Sequence, residues 1–331
     1  MKNPLSARIG ITSTIPSEVI YAAGCVPVDL NNVFINAEDP YALVEAAEAD
    51  GFPRNYCAWM KGIYGALKAN PEIQKIIGVM QGDCSNTTAL LDLLSHRGYE
   101  VLTFAYPVDA NEDELVREID KLIGVLGTTR EDAEKAKTQL DKVRAVALVI
   151  DDLTWRKNSV TGRENHLALI ETSDCRGNPA ELELELTTLL ENISAREPFD
   201  ASLRLGLVGV PPIVSDLYEV VEGLSGRVVY NEVQREFAMP HGRSDLAGQY
   251  ASYTYPYGGG RRAAEIKRQV ATRSLDGIIH YVQSFCYHQL DDIIIRETVG
   301  APTLTLEADK PGPLDSRSRL RLEAFLETLG G

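Results

Sequence analysis

The chain has 331 residues, 44% of them hydrophobic, which is more than one comfortable core and points to two domains. A formal net charge of −15 without clustered Lys and Arg excludes a phosphate-neutralising surface, so no nucleic-acid partner is expected. No apolar run reaches the roughly 18 residues of a membrane span, and Met1-Lys2-Asn3-Pro4 lacks the basic-then-apolar pattern of an export signal, so a cytoplasmic protein without membrane contact is expected.

In chain order, residues 8–13 and 26–30 read as short apolar strands, with a helix start at Pro16-Ser17-Glu18 between them. Residues 76–81 and 100–105 read as two further strands, and 87–96 between them has helical spacing. That alternation is a βαβ rhythm. From 111 to 156 charged and apolar residues interleave at three- and four-residue steps, which predicts helix, and a second helical stretch covers 163–193, interrupted by a loop at 173–179. A second alternating unit opens at Leu203 with LRLGLVGVPP. It continues with a helix at 214–224, a strand at 227–232, a long helix at 259–273, a strand at 277–282, a helix after Cys286, a strand at 303–306 and a last helix at 314–329. The pattern predicts an α/β protein of two flavodoxin- or Rossmann-like parallel-sheet domains joined by a helical segment, with boundaries at 1–110, 111–200 and 201–331.

Five cysteines in such a chain make a poor disulfide framework, which turns attention to metal or redox chemistry. Cys57 in RNYCAWMKG, Cys84 in VMQGDCSNT and Cys286 in YVQSFCYHQ fall where strands or loops give way to helices. A helix N-terminus favours the thiolate, the form that binds iron. Three thiolates can hold all but one iron of a [4Fe–4S] cubane, leaving an open iron. On residue types alone a second reading stands beside it, three buried cysteines packing as small hydrophobes, because no CxxC spacing is present.

Other residues invite expectations. Cys25 in AAGCVPV reads as core packing, and Cys175 in SDCRGNP lies in a loop without an assigned role. Glu18 offers a carboxylate for proton transfer or, alternatively, a first-turn acid facing its helix dipole. His288, two residues past Cys286, is the better proton donor of two histidines, since His280 alternates into a strand as a core residue. Asp83 and Asp309 read as helix caps. The tyrosine-rich stretch 250–262 reads as a packed loop or subunit contact, and its three glycines before Arg261 form at most a weak anion nest.

Several segments carry a family likeness: IPSEVIYAAGCVPVDL, PRNYCAWMKGIYGAL, GDCSNT, GLVGVPPIVSDLYEVVE, and the stretch from DGIIHYVQSFCYHQ to the end. In this order and over nearly the whole chain, they resemble the 2-hydroxyacyl-CoA dehydratase and benzoyl-CoA reductase superfamily. Ser85 and Asn86 stand after Cys84 where the dehydratase subunits usually have an acidic residue and Gly, and the chain lacks their N-terminal extension. It is most similar to the compact double-cubane cluster proteins. That resemblance implies iron–sulfur binding by Cys57, Cys84 and Cys286, with electrons delivered by a separate ATP-hydrolysing activator that carries its own [4Fe–4S] cluster. It implies reduction of a small-molecule substrate at an [8Fe–9S] double cubane. Three thiolates from each of two copies would give six ligands, so a homodimer that shares the cluster is expected, with Glu18 and His288 as candidate catalytic groups. The alternatives are a 2-hydroxyacyl-CoA dehydratase subunit with one [4Fe–4S] cluster per subunit, and a non-catalytic electron-storage or cluster-carrier protein.

Overall fold

The computed structural model describes residues 7–200 and 203–331. The first half runs β1 (Arg8–Ile11), α1 (Ser17–Ala22), β2 (Val26–Asp29), α2 (Leu30–Ile35), α3 (Pro40–Ala49), α4 (Ala58–Ala69), β3 (Lys75–Gln81), α5 (Ser85–His96) and β4 (Glu100–Ala105). Helices α6 (Glu112–Leu126), α7 (Arg130–Arg156), α8 (Gly162–Ile170) and α9 (Pro179–Ser194) follow. Then come β5 (Leu203–Gly209), α10 (Leu217–Gly223), β6 (Gly226–Asn231), α11 (Glu232–Phe237), α12 (Leu246–Ser252) and α13 (Gly259–Arg273). The chain closes with β7 (Gly277–Gln283), α14 (Asp291–Val299), β8 (Thr303–Ala308) and α15 (Ser316–Gly330).

The strands form two sheets, ordered β2-β1-β3-β4 and β6-β5-β7-β8, every pairing parallel. This is the flavodoxin-type order twice over, so the α/β expectation of two parallel sheets with flanking helices and a helical segment in sequence between them holds. In each sheet the order reverses between the first and third strands, and ligands of such sheets gather at the carboxyl ends beside that reversal. The central strands read as near-continuous apolar runs because helices cover both faces: all seven residues of β7 are buried, as are Ile76, Ile77 and Val79 of β3. Each such Ile or Val side chain contributes about 1.5–3 kcal/mol on burial.

Two compact units result. The first comprises described residues within Met1–Arg144, Glu171–Glu183 and Met239–Gly258; the second comprises Ala145–Ile170, described residues within Leu184–Ala238, and Gly259–Gly331. In the first, the 3-10 turns Glu171–Ser173 and Cys175–Gly177 pack on the end of β2: Ser173 Oγ donates to Asp29 Oδ2 (2.7 Å), and Asp29 N donates to Asp174 Oδ2 (2.7 Å). In the second, the end of β6 is tied by Asn231 Nδ2 donating to Asn165 Oδ1 (2.7 Å) and by Tyr218 Oη donating to Asn231 Oδ1 (2.8 Å). Gly209 ends β5 at φ +107°, and a Cβ there would lie 2.0 Å from the Tyr281 carbonyl oxygen, so only glycine lets β5 leave the sheet this close to β7.

Several local expectations need correction. The helix expected from Val214 starts at Leu217, because Val214 is held in a β-bridge to Gly312. Asp309 is exposed and is the N-cap of no helix among the described residues; Pro311 and Pro313 lie at bends on either side of Gly312, and Asp315 caps α15 by accepting from Ser318 N (2.9 Å). Cys175 is fully buried rather than out in a loop, at φ +47°, whereas Cys25 is only half-buried. The tyrosine-rich stretch is packed at Tyr250 and Tyr253.

Candidate metal centre

None of the five cysteines is in a disulfide. Cys57, Cys84 and Cys286 share one local geometry, each being the N-cap residue of a helical segment: Cys57 of α4, Cys84 of α5, and Cys286 of the 3-10 turn Tyr287–Gln289 that leads into α14. No side chain caps these three starts, which leaves their first N–H groups directed at the cysteines and their surroundings. The N–H groups of Trp59 and Met60 act on the Cys57 sulfur, and those of Asn86 and Thr87 act on the Cys84 sulfur, so each would stabilise a thiolate.

The first unit brings Cys57 and Cys84 close enough for their charges to interact. Burial pushes both thiols up from their ordinary pKa; the charge of Cys84 adds to the rise at Cys57, and that of Asp83 adds to the rise at Cys84. Two sulfurs that resist ionisation separately suit a shared cation, which removes the repulsion and the desolvation penalty together. Around them, Asp83 Oδ1 accepts from Cys84 N (2.7 Å) and Asp83 Oδ2 accepts from Thr87 Oγ1 (3.0 Å), while burial lifts the Asp83 carboxyl to about 6. Asp83 is therefore not the helix cap expected of it: the N-cap residue is Cys84, and Asp83 holds the Cys84 amide and the Thr87 hydroxyl beside it. Tyr56 Oη donates to the Asn86 carbonyl (3.1 Å), tying the residue before Cys57 to the turn after Cys84. Trp59 Nε1 is buried with no hydrogen-bond partner among the described residues, an N–H donor two residues past Cys57. Helix N-termini, paired thiols and this unused donor fit an iron–sulfur group.

In the second unit Cys286 lies three residues past the end of β7, as Cys84 lies three past the end of β3. The turn is tight: Cys286 N donates to the Gln283 carbonyl (3.0 Å), and Phe285 takes φ +61° with its ring 68% exposed. Behind it stands a buried cluster. Arg262 grips Glu232 with two bonds (Nε to Oε1, 2.8 Å; Nη2 to Oε2, 2.9 Å), and its Nη1 donates to Asp291 Oδ2 (2.7 Å). His288 Nδ1 lies 2.6 Å from Asp291 Oδ2 and 2.9 Å from Arg262 Nη1. Burial holds His288 below its ordinary pKa against the opposing hydrogen bond to Asp291; at Asp291 burial works upward but is outweighed by the His288 bond and the Arg262 charge, leaving it low. His288 occupies the 3-10 turn rather than a first α-helical turn, and a mostly neutral imidazole there can accept a proton and return it.

Glu18 is in the first unit and wholly buried. It stands in the first turn of α1, as one of the two expectations had it, and its carboxylate also accepts from Arg144 Nη1 (2.7 Å), Gln249 Nε2 (2.8 Å) and Tyr250 Oη (2.8 Å). Sequence reasoning missed Arg144, Arg262 and Gln283. Arg144 hides in a strongly charged helix, and Arg262 follows a glycine run that drew attention to itself. For Gln283 a signal existed: the spacing Gln-x-x-Cys occurs at 81–84 and again at 283–286.

Residues 12–329 match the family model described as 2-hydroxyglutaryl-CoA dehydratase, D-component. The chain belongs to that family. Membership implies a component of an activator-dependent iron–sulfur dehydratase or reductase system, whose proteins typically carry iron–sulfur clusters. No curated protein matches the chain. No helix among the described residues is long and apolar enough to cross a membrane.

Proposed function

We propose that this chain is the reductase component of an ATP-dependent iron–sulfur system: it receives low-potential electrons from an ATP-hydrolysing activator and reduces a small molecule at an [8Fe–9S] double cubane shared by two copies. The observation that carries the reading is the common placement of Cys57, Cys84 and Cys286 at helical N-termini, two of them three residues past the third strand of a sheet. An iron–sulfur group held there would supply stored low-potential electrons and an open iron.

The chain's own residues then have definable tasks. Cys57, Cys84 and Cys286 would be the ligands, and backbone N–H groups of α4 and α5 would stabilise the negative charge on the first two sulfurs. His288, held by Asp291 and Arg262, would deliver protons at its imidazole. Glu18 would set the local charge at the end of β1 through its bonds to Arg144 and Tyr250. A homodimer is supported by the surface beside Cys286: Phe285, Tyr287, Leu290 and Ile293 are 68%, 46%, 70% and 56% exposed within nine residues. So dense an apolar strip at a candidate ligand is what a two-fold contact would cover.

A 2-hydroxyacyl-CoA dehydratase subunit with its own [4Fe–4S] cluster is the second reading, favoured by the description of the matching family. Anaerobic purification separates the two. The reductase reading requires about four irons per chain, sulfide in slight excess over iron, and a homodimer by light scattering. Equal iron and sulfide together with a homologous second chain would establish the dehydratase instead, and protein without iron would remove both.

A further inference from the structure

The side chain of Gln283 is 1% exposed, and neither its Nε2 nor its Oε1 has a hydrogen-bond partner among the described residues. Burying a carboxamide with both ends unmatched is costly, and a leucine or methionine would fill the same space without that penalty. The corresponding Gln81 makes the contrast plain: it is exposed, yet its Nε2 donates to the Tyr106 carbonyl (2.6 Å). Gln283 ends β7, the third strand of its sheet, beside the reversal in strand order where ligands of such sheets collect. Strand alternation puts it on the face of Tyr281, whose hydroxyl accepts from Ile213 N (3.1 Å) in the loop leaving β5. Next to this loop and turn, Val214 and Ser284 line a cavity of ≈ 500 Å³ within the second unit; Gln283 lies behind Ser284 and does not itself line it.

From this unmatched carboxamide beside the strand reversal and three residues before Cys286, we infer that Gln283 is a ligand-binding residue that takes the amide edge of a small molecule. A carboxamide presents one acceptor and a pair of donors, and the group that satisfies both ends at once offers an N–H and a carbonyl oxygen side by side. The inference adds a substrate-recognising group to the site proposed above and rests on that reading for its connection to reduction.

The test compares the full-length wild type with Gln283→Leu, and with Gln283→Met as a second apolar replacement of similar length. Both variants should melt about 2–5 °C higher than the wild type without added ligand, because an unmatched polar group has been removed. In saturation-transfer NMR acetamide should bind the wild type, N,N-dimethylacetamide, which lacks the N–H, should not, and the acetamide signal should fall at least about five-fold in the variants. A lower melting temperature in both variants, acetamide binding that survives them, or no acetamide binding to the wild type would each overturn the assignment. Iron content, measured on the same samples, reports separately on the cluster reading.

Discussion

The carboxyl edges of the two sheets begin from one plan and diverge within three residues. Both third strands end in glutamine, and both place a cysteine three residues later at a helical start: Gln81-Gly82-Asp83-Cys84 in the first unit, Gln283-Ser284-Phe285-Cys286 in the second. The first unit fills its turn with Gly82 at φ +95° and with Asp83, which bonds to the Cys84 amide. The second places Phe285 in the left-handed region and turns its ring outward. The helix before each third strand differs too: α4 begins after Tyr56-Cys57 and α13 after Tyr257-Gly258, so a sulfur before one helix corresponds in sequence to a glycine before the other. A duplicated scaffold therefore supplies positions, while the residues placed there decide which unit carries two of the candidate ligands and which carries one, backed by a buried Arg–His–carboxylate cluster.

The sharpest way to break that comparison is to remove the sulfurs one at a time. Cys57→Ser, Cys84→Ser and Cys286→Ser should each lose more than about half of the bound iron, whereas Cys25→Ser and Cys175→Ser should keep it, as read by iron analysis and visible absorption. Full iron in all three of the first group would end the metal reading.

The buried charges come next. Arg262→Met removes the guanidinium from two buried carboxylates at once, leaving Glu232 with only the Gly209 N–H and Asp291 with only His288, and should cost about 3–5 kcal/mol in urea denaturation. Arg144→Met should cost less, because Glu18 keeps its bonds from Gln249 and Tyr250. Equal losses would mean that the two clusters bear the same load.

A smaller effect tests why α13 opens on glycine where α4 opens on alanine. A Cβ on Gly259 would meet Asp291 Oδ1 at 2.7 Å, so Gly259→Ala should destabilise by about 1–3 kcal/mol. Gly260→Ala faces open space and should be neutral or stabilising by up to about 1 kcal/mol. If the two variants melt alike, the Gly259 contact does not constrain the helix start.

The smallest effect concerns the end of β2, where the first unit has a buried carboxylate pair and the second has the neutral Asn231. Burial, with the neighbouring Asp29 charge, raises Asp174 to about 7 from 3.8, and burial raises Asp29 as well. A carboxyl with a raised folded-state pKa holds its proton more tightly when folded, so its contribution is fully present below the unfolded value and is lost as pH climbs from about 4 to 7. The melting temperature should fall by a few degrees between pH 5 and pH 8, and Asp174→Asn should flatten that slope. An unchanged slope in the variant would assign the titration elsewhere.

Local sequence carried much of this far. Apolar runs such as Ile76–Val79 and Gly277–Val282 can be strands only if both faces are covered, so two parallel sheets follow from them. The switch from apolar run to helical spacing after Cys84 places that residue at a helix start, since periodicity needs no distant partner. Turns were less legible: Val214 continues an apolar pattern but is diverted by Gly312, roughly a hundred residues away in sequence.

What the sequence determined by itself was therefore the set of elements, their parallel arrangement and the junction positions of three cysteines, all products of short-range periodicity and backbone preference. What only the tertiary structure decided was which polar groups are matched. Glu18 looks like an ordinary first-turn acid until Arg144, Gln249 and Tyr250 close around it, and Gln283 looks like any strand-end glutamine until burial leaves its amide unanswered. Burial and hydrogen-bond partnership depend on residues brought together from far along the chain, and no local pattern encodes them.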